Sequence, residues 1–199
     1  MTKYNLLRIS SYSGIMGIVI LWTTIILGMS RTGLKLVDSR PISYLGVDPM
    51  SATLFSVGLI VSAVLFTIFG LYVRKNFAVK NRFLMYLLIG QAGQIITAIS
   101  PYGMQSEYKL IHTIAAFTLA LSLPPLIRSF AHSQTHDSHS KIYDGLYRFE
   151  LVTFFIGMGL FIFTKGIAPI GEALPAIGFH VWIIVITIIA YKKLATASA

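Results

Sequence analysis

Two histidines and several carboxylates stand out in this chain as residues that could do chemistry. His112 and His180 each lie inside an apolar run, whereas Asp48, Glu107 and Glu172 lie at or near the ends of such runs. Imidazole and carboxylate groups hold catalytic zinc and the water it activates, and they also hydrogen-bond polar lipid headgroups. No two of these residues have a recognised ligand spacing such as HExxH. We therefore predict no cofactor, with a divalent metal at His112 and His180 as the alternative.

Amide and hydroxyl side chains extend this set. Gln91 and Gln94 are three residues apart, on one face of a predicted helix. Amides inside a membrane hydrogen-bond neighbouring helices or line a polar cavity. The predicted ligand-binding residues are Ser43, Asp48, Gln91, Gln94, Glu107, His112 and His180. The alternative is purely structural hydrogen bonding, in which His112 bonds the first loop and His180 bridges two helices as a buried neutral imidazole.

A further group of histidines lies in one polar stretch, AHSQTHDSHS. It places His132, His136 and His139 around Asp137. Two histidines four residues apart share a helix face and could hold a metal. The serine, glutamine and threonine residues around them are typical of a solvated loop instead, and that is our interpretation of this stretch.

Two more charged residues interrupt the fifth apolar run. Glu150 stands beside Arg148 near its start, and Lys165 stands near its end. Long charged side chains near a helix end reach the membrane surface with their charged groups. We therefore predict that Glu150 snorkels or pairs with Arg148, that Lys165 snorkels, and that neither belongs to a site.

The composition identifies the environment of these groups. Of the 199 residues, 55% are hydrophobic and 12% are charged, whereas about 25% are charged in soluble domains. This is too little polar surface to cover a soluble globule, so the sequence indicates a membrane protein. Cysteine is absent, which excludes a disulfide framework and a thiolate nucleophile.

Six apolar runs are long enough to cross a bilayer, which takes roughly 20 residues of helix. They span about residues 9–30, 51–73, 83–100, 110–127, 149–167 and 173–191. All connections between them are short, so we predict one all-α domain over residues 1–199, a six-helix transmembrane bundle. The first run exceeds the apolar core of about 7–15 residues that a signal peptide has, so it is predicted to be a retained helix.

Lysine and arginine are distributed unevenly between the two predicted sides of this bundle. Eleven lie on the side that holds both chain termini and four on the other, with Lys165 near the end of the fifth run. Because basic residues favour the cytoplasmic side, the counts predict a cell-membrane protein with both termini in the cytoplasm. Anionic lipid accounts for the net charge of +9, so no nucleic-acid partner is predicted.

The first loop on the opposite side is longer than a helix connection requires. Pro41 and Gly46 favour turns, and Ser51 is the predicted N-cap of the second helix, with Asp48 near its positive end. We predict that this segment is an ordered lid that covers the outer end of the bundle.

Three short segments carry a resemblance to known proteins. PISYLG (41–46), LFSVGL (54–59) and HTIAAF (112–117) resemble marks of the Frag1/DRAM/Sfk1 group. The chain is most similar to the prokaryotic relatives of that group, a family described as domain of unknown function 998. The resemblance extends over most of the chain and implies a six-helix integral membrane protein. Eukaryotic members are linked to lipid remodelling of anchored proteins, to plasma-membrane lipid organisation and to autophagy. No catalytic residue is implied.

The predicted function is binding or organisation of membrane lipid, without catalysis, in a polar pocket of the outer leaflet under the first loop. Asp48, His112 and His180 would contact the headgroup, and Gln91 and Gln94 would lie deeper.

Two other functions remain open from the sequence. An intramembrane metal-assisted lipid hydrolase would use His112 and His180 as metal ligands, with Asp48 or Glu107 as base or third ligand. An accessory subunit of a membrane complex would have another membrane protein as partner, and its polar groups would only pack.

Overall fold

The fold consists of six long helices and one short 3₁₀ turn. A computed structural model describes residues 3–100, 106–164 and 166–196, and within these ranges it contains no β-strand. The helices are α1 (Lys3–Thr32), α2 (Ala52–Asn76), α3 (Asn81–Ile99), α4 (Ser106–Ser133), α5 (Ser140–Phe163) and α6 (Ala168–Thr196). Each is long and apolar enough to cross a membrane. The prediction of an all-α, six-span integral membrane protein is thereby confirmed.

Two helices begin earlier than their apolar runs. α5 begins at Ser140 and α6 at Ala168, whereas the sequence predicts starts near residues 149 and 173. A hydropathy pattern detects only the part of a helix that matches hydrocarbon, so polar first turns are missed. The consequence is that residues expected near a helix end lie close to the middle of one.

Helices that follow one another in the chain pack side by side, and α1 also packs against α6, which closes the bundle. We call the end that carries residues 33–51 the loop end, and the end that carries both chain termini the termini end. Glycine allows close helix approach at one of these contacts: a Cβ on Gly93 of α3 would lie 2.8 Å from the Ala115 carbonyl oxygen of α4.

Aromatic rings fill the core in the half nearer the termini end. Trp182 of α6 is 1% exposed, and its ring centroid lies 5.9 Å from that of Phe69, 6.1 Å from Phe83 and 5.4 Å from Phe130. Four helices contribute to this group, which packs edge-on or tilted, as aromatic rings prefer. The half nearer the loop end is less completely filled, and a cavity lies there.

The first loop folds back over the loop end of the bundle. α1 stops at Gly33, whose φ of +66° is the left-handed geometry in which many helices end. The 3₁₀ turn Ile42–Gly46 then buries Leu45 completely. Ser51 is the N-cap residue of α2, as predicted, but its hydroxyl donates to the Leu45 carbonyl oxygen at 2.8 Å and makes no side-chain cap bond.

Candidate functional site

A cavity of about 210 Å³ lies between the helices in the half of the bundle nearer the loop end. All six helices and the first loop line it. Most of its wall is aliphatic or aromatic, which is typical of sites that bind apolar or amphiphilic molecules. Its polar lining residues are Trp22, Ser43, Gln94, Thr97, His112, Thr113, Glu172 and His180.

His180 is 5% exposed and lies near the middle of α6, roughly 18 Å from the first residue at 1.5 Å per residue. The indole nitrogen of Trp22 in α1 donates to its Nδ1 at 3.1 Å. Because indole can only donate, Nδ1 must accept, and the neutral ring then carries its proton on Nε2. Among the described residues this is the single hydrogen bond of the ring, so Nε2–H is a donor available to a ligand.

His112 has the opposite ring arrangement. Its Nδ1 lies 2.7 Å from the Ser100 carbonyl oxygen, and a carbonyl oxygen only accepts, so Nδ1 donates. The imidazole, 3% exposed, is therefore tied to the end of α3. The structural alternative expected His112 to bond the first loop, whereas the bond described here is made to the end of α3.

Gln94 fulfils both roles that the sequence left open. Its amide nitrogen donates to the Leu59 carbonyl oxygen at 2.9 Å and to the Ser62 hydroxyl at 2.7 Å, which joins α3 to α2. The amide oxygen of Gln94 takes no part in these two bonds. Gln94 also lines the cavity. One turn further on, the Thr97 hydroxyl is buried in the cavity wall without a hydrogen-bond partner among the described residues.

Glu172 fastens the first loop to α6. One carboxylate oxygen accepts from the Ser43 backbone N–H and the other from the Ser43 hydroxyl, both at 3.0 Å. The Ala168 N–H also donates to the Asp38 carbonyl oxygen at 3.2 Å. These bonds hold Pro41, Ile42 and Ser43 in the cavity wall. We call the Glu172–Ser43 pair the latch.

The exposed part of the loop is stiffened by an ion pair. Arg40 bonds both carboxylate oxygens of Asp38, at 3.1 and 2.8 Å, and its guanidinium lies 5.0 Å from the Tyr44 ring centroid. The side-chain hydrogen bonds from Arg40 hold the pKa of the Asp38 carboxyl well below its usual value. These contacts connect the segment before the 3₁₀ turn to Tyr44 within the turn.

Four of the seven predicted ligand-binding residues line this cavity: Ser43, Gln94, His112 and His180. The other three lie elsewhere. Asp48 accepts from the Met50 N–H at 2.9 Å in the turn before α2. Glu107 is exposed in the first turn of α4, and the amide oxygen of Gln91 is buried away from the cavity without a partner in the described part of the chain.

Trp22 and Thr97 are cavity residues that the sequence did not indicate. Glu172 was considered among the carboxylates that could join a metal or headgroup site, but it was not among the predicted ligand-binding residues. Tryptophan and threonine are common in membrane helices, so their types carry little signal. The one hint was the position of Trp22, well inside the first apolar run and away from the membrane interface where tryptophan concentrates.

The described residues contain no cluster of side chains arranged to hold a metal ion. No three His, Asp or Glu side chains among residues 3–100, 106–164 and 166–196 group closely enough to hold an ion. In the polar stretch, Asp137 accepts from His139 at 3.0 Å and from Lys193 at 2.7 Å, so its carboxylate ties the α4–α5 connection to α6.

Glu150 does not behave as predicted. It is fully buried, and within the described residues neither carboxylate oxygen has a hydrogen-bond partner. Its carboxylate packs against Gly178 of α6, where a Cβ would overlap it. The prediction that it snorkels or pairs with Arg148 was wrong, because α5 begins nine residues before its apolar run and Glu150 lies near mid-helix. Lys165 lies outside the described residues.

Comparisons with protein-family models, with curated proteins and with solved structures give no match to this chain. The structure itself shows an integral membrane protein with six spanning helices. It also shows an internal cavity near the loop end.

Proposed function

We propose that this integral membrane protein binds or organises lipid in the cavity at its loop end. In this proposal the protein lies in the cell membrane with both termini in the cytoplasm, so the cavity opens to the outer leaflet. A relation to the Frag1/DRAM/Sfk1 group and its prokaryotic branch belongs to the same proposal and agrees with a lipid-related role.

One observation carries the proposal. The cavity combines an apolar wall with a buried imidazole whose Nδ1 is engaged by Trp22 and whose Nε2–H is left available. A donor that is desolvated without a partner costs about 1–3 kcal/mol. A ligand with an oxygen acceptor at its buried end and an apolar remainder satisfies both features of this site.

The test is native mass spectrometry of the protein released from a mild detergent. We expect one lipid adduct per chain in the natural protein and a clearly reduced adduct in His180→Leu. His132→Leu is the matched control, because His132 is an exposed histidine of the same chain outside the cavity. A wild-type protein that carries no lipid would overturn the proposal, as would equal loss of lipid in the control.

The same spectra test the alternatives. A metal-sized mass increment that disappears in His180→Leu supports the hydrolase, and a stoichiometric co-purifying protein with no effect of His180→Leu supports the accessory subunit. Circular dichroism and gel filtration of each variant show whether the bundle is still folded, so that loss of lipid is not loss of fold.

A further inference from the structure

We infer that the ligand of this cavity is an uncharged lipid, with a hydroxyl or carbonyl oxygen at its buried end, that enters from the bilayer between α4 and α5. This inference rests on the proposed function and names its ligand class and its access route. Charge, hydrogen-bond complementarity, volume and wall thickness each contribute to it.

The charge of the lining is the first observation. None of the described residues that line the cavity is lysine or arginine. The one carboxylate, Glu172, already accepts two hydrogen bonds from Ser43. A phosphate moved into this site would be desolvated without a cation, which costs several kcal/mol. The lining therefore disfavours phospholipid headgroups and accommodates neutral ones.

Hydrogen bonding defines the polar end of the ligand. His180 offers Nε2–H as a donor, and the Gln94 amide oxygen is an acceptor. A ligand hydroxyl can accept from His180 and donate to Gln94, whereas a carbonyl oxygen can accept from His180 alone. A hydrocarbon without oxygen leaves both groups unsatisfied.

Volume limits how much of the ligand the cavity holds. An engineered apolar cavity of about 150 Å³ accommodates benzene, so the 210 Å³ observed here accommodates a ring or a glycerol-sized group with a short stretch of chain. The remaining chain of a lipid must extend out of the cavity, which requires an opening towards the bilayer.

The wall between α4 and α5 provides that opening. Phe117 and Phe161 line the cavity and stack edge to face, with ring centroids 6.5 Å apart. Phe161 is also 37% exposed, from which we infer that one layer of side chains separates the cavity from the surrounding lipid. The loop end, in contrast, is closed by Pro41, Ile42 and Ser43 under the latch. Rotation of Phe117 and Phe161 opens the route between α4 and α5. Entry through the loop end requires the latch to break.

The ligand class is tested with two soluble lipids that differ by one phosphate. Dioctanoylglycerol and dioctanoylphosphatidate are titrated against the natural protein in an uncharged detergent, and occupancy is read by native mass spectrometry. We expect dioctanoylglycerol to bind at least about tenfold more tightly, and His180→Leu to weaken it by about fivefold or more. Equal or tighter binding of the phosphatidate overturns the inference while the proposed function stands. Failure of both lipids, in a protein that also carries no lipid of its own, overturns the two together.

The route is tested with a single cysteine, because the natural chain has none. Phe161→Cys is labelled with a bulky maleimide, and Phe155→Cys is the control, since Phe155 is a 67% exposed residue of α5 outside the cavity lining. We expect the label at 161 to slow dioctanoylglycerol association at least about tenfold relative to the label at 155. Unchanged association with the label at 161 overturns the lateral route.

Discussion

The indole nitrogen of Trp22 and Nδ1 of His180 are joined by a 3.1 Å hydrogen bond between the first and last helices of the bundle. The two rings meet edge to face, with centroids 6.1 Å apart. This bond fixes which imidazole nitrogen faces the cavity as a donor, so Trp22 is a positioning residue for the proposed site.

Substituting Trp22→Phe removes that donor and keeps an aromatic ring. Because Nδ1 loses its partner, both neutral tautomers of His180 become accessible, and we expect lipid binding to weaken about fivefold, corresponding to one hydrogen bond of about 1 kcal/mol. Native mass spectrometry of lipid occupancy measures the change. Trp182→Phe is the control, since Trp182 is buried but does not line the cavity, and an equal loss of lipid there would contradict the role of Trp22.

The latch should govern how often the first loop opens. Glu172→Ala removes two hydrogen bonds to Ser43, so we expect amide exchange in residues 38–47 to rise about tenfold. Hydrogen–deuterium exchange read by mass spectrometry provides the measurement. Glu107→Ala, at an exposed carboxylate in the first turn of α4, should leave that exchange unchanged. If the loop amides of Glu172→Ala exchange as slowly as those of the natural protein, the latch does not hold the loop.

The contact between α5 and α6 at Gly178 leaves no room for a side chain. Gly178→Ala would overlap the Glu150 carboxylate and the Thr153 hydroxyl, and we expect it to lower the free energy of unfolding by about 1–3 kcal/mol. Denaturant unfolding in detergent measures this. Gly159→Ala is the control, because its Cβ would meet nothing within 4 Å, and it should leave the free energy of unfolding unchanged.

A double-mutant cycle then identifies the partner. Combining Gly178→Ala with Glu150→Ala should cost less than the sum of the two single changes, because the overlap with the carboxylate is gone. Strict additivity would mean that Glu150 does not fill this space.

The polar connection between α4 and α5 should weaken in acid. Burial would raise the pKa of Asp137, but hydrogen bonds from Lys193 and His139 hold this pKa below its usual value. A carboxyl whose pKa is depressed by folding stabilises the fold above its unfolded pKa of about 4, and this contribution is lost as the pH falls towards its folded pKa.

Asp137→Asn tests this contribution. We expect it to cost about 1 kcal/mol at neutral pH and to reduce the loss of thermal stability between about pH 5 and pH 3. Thermal melts across that range measure both effects. Asp144→Asn, an exposed carboxylate of α5, should retain the wild-type acid dependence, and an identical profile for Asp137→Asn would contradict the assignment.

The sequence predicted the six spans and part of the cavity because hydropathy and misplaced polar groups are local signals. His112, His180 and Gln94 stand out inside apolar runs, and all three line the cavity. The depth of Glu150 was not predictable, because it depends on where α5 begins and on a packing contact with Gly178. The role of Trp22 depends on α1 lying beside α6, which is a contact between residues 158 positions apart.

Because every helix contributes to the lining, the cavity does not exist in any partly assembled subset of the chain. A molecule that occupies it binds only the completed bundle, so occupancy and folding are thermodynamically linked. At a free concentration one hundred times its dissociation constant, such a molecule stabilises the assembled state by about 2.7 kcal/mol. Delipidation during purification would withdraw that contribution, and the resistance of the protein to heat or denaturant would then report how much of its natural occupant has been retained.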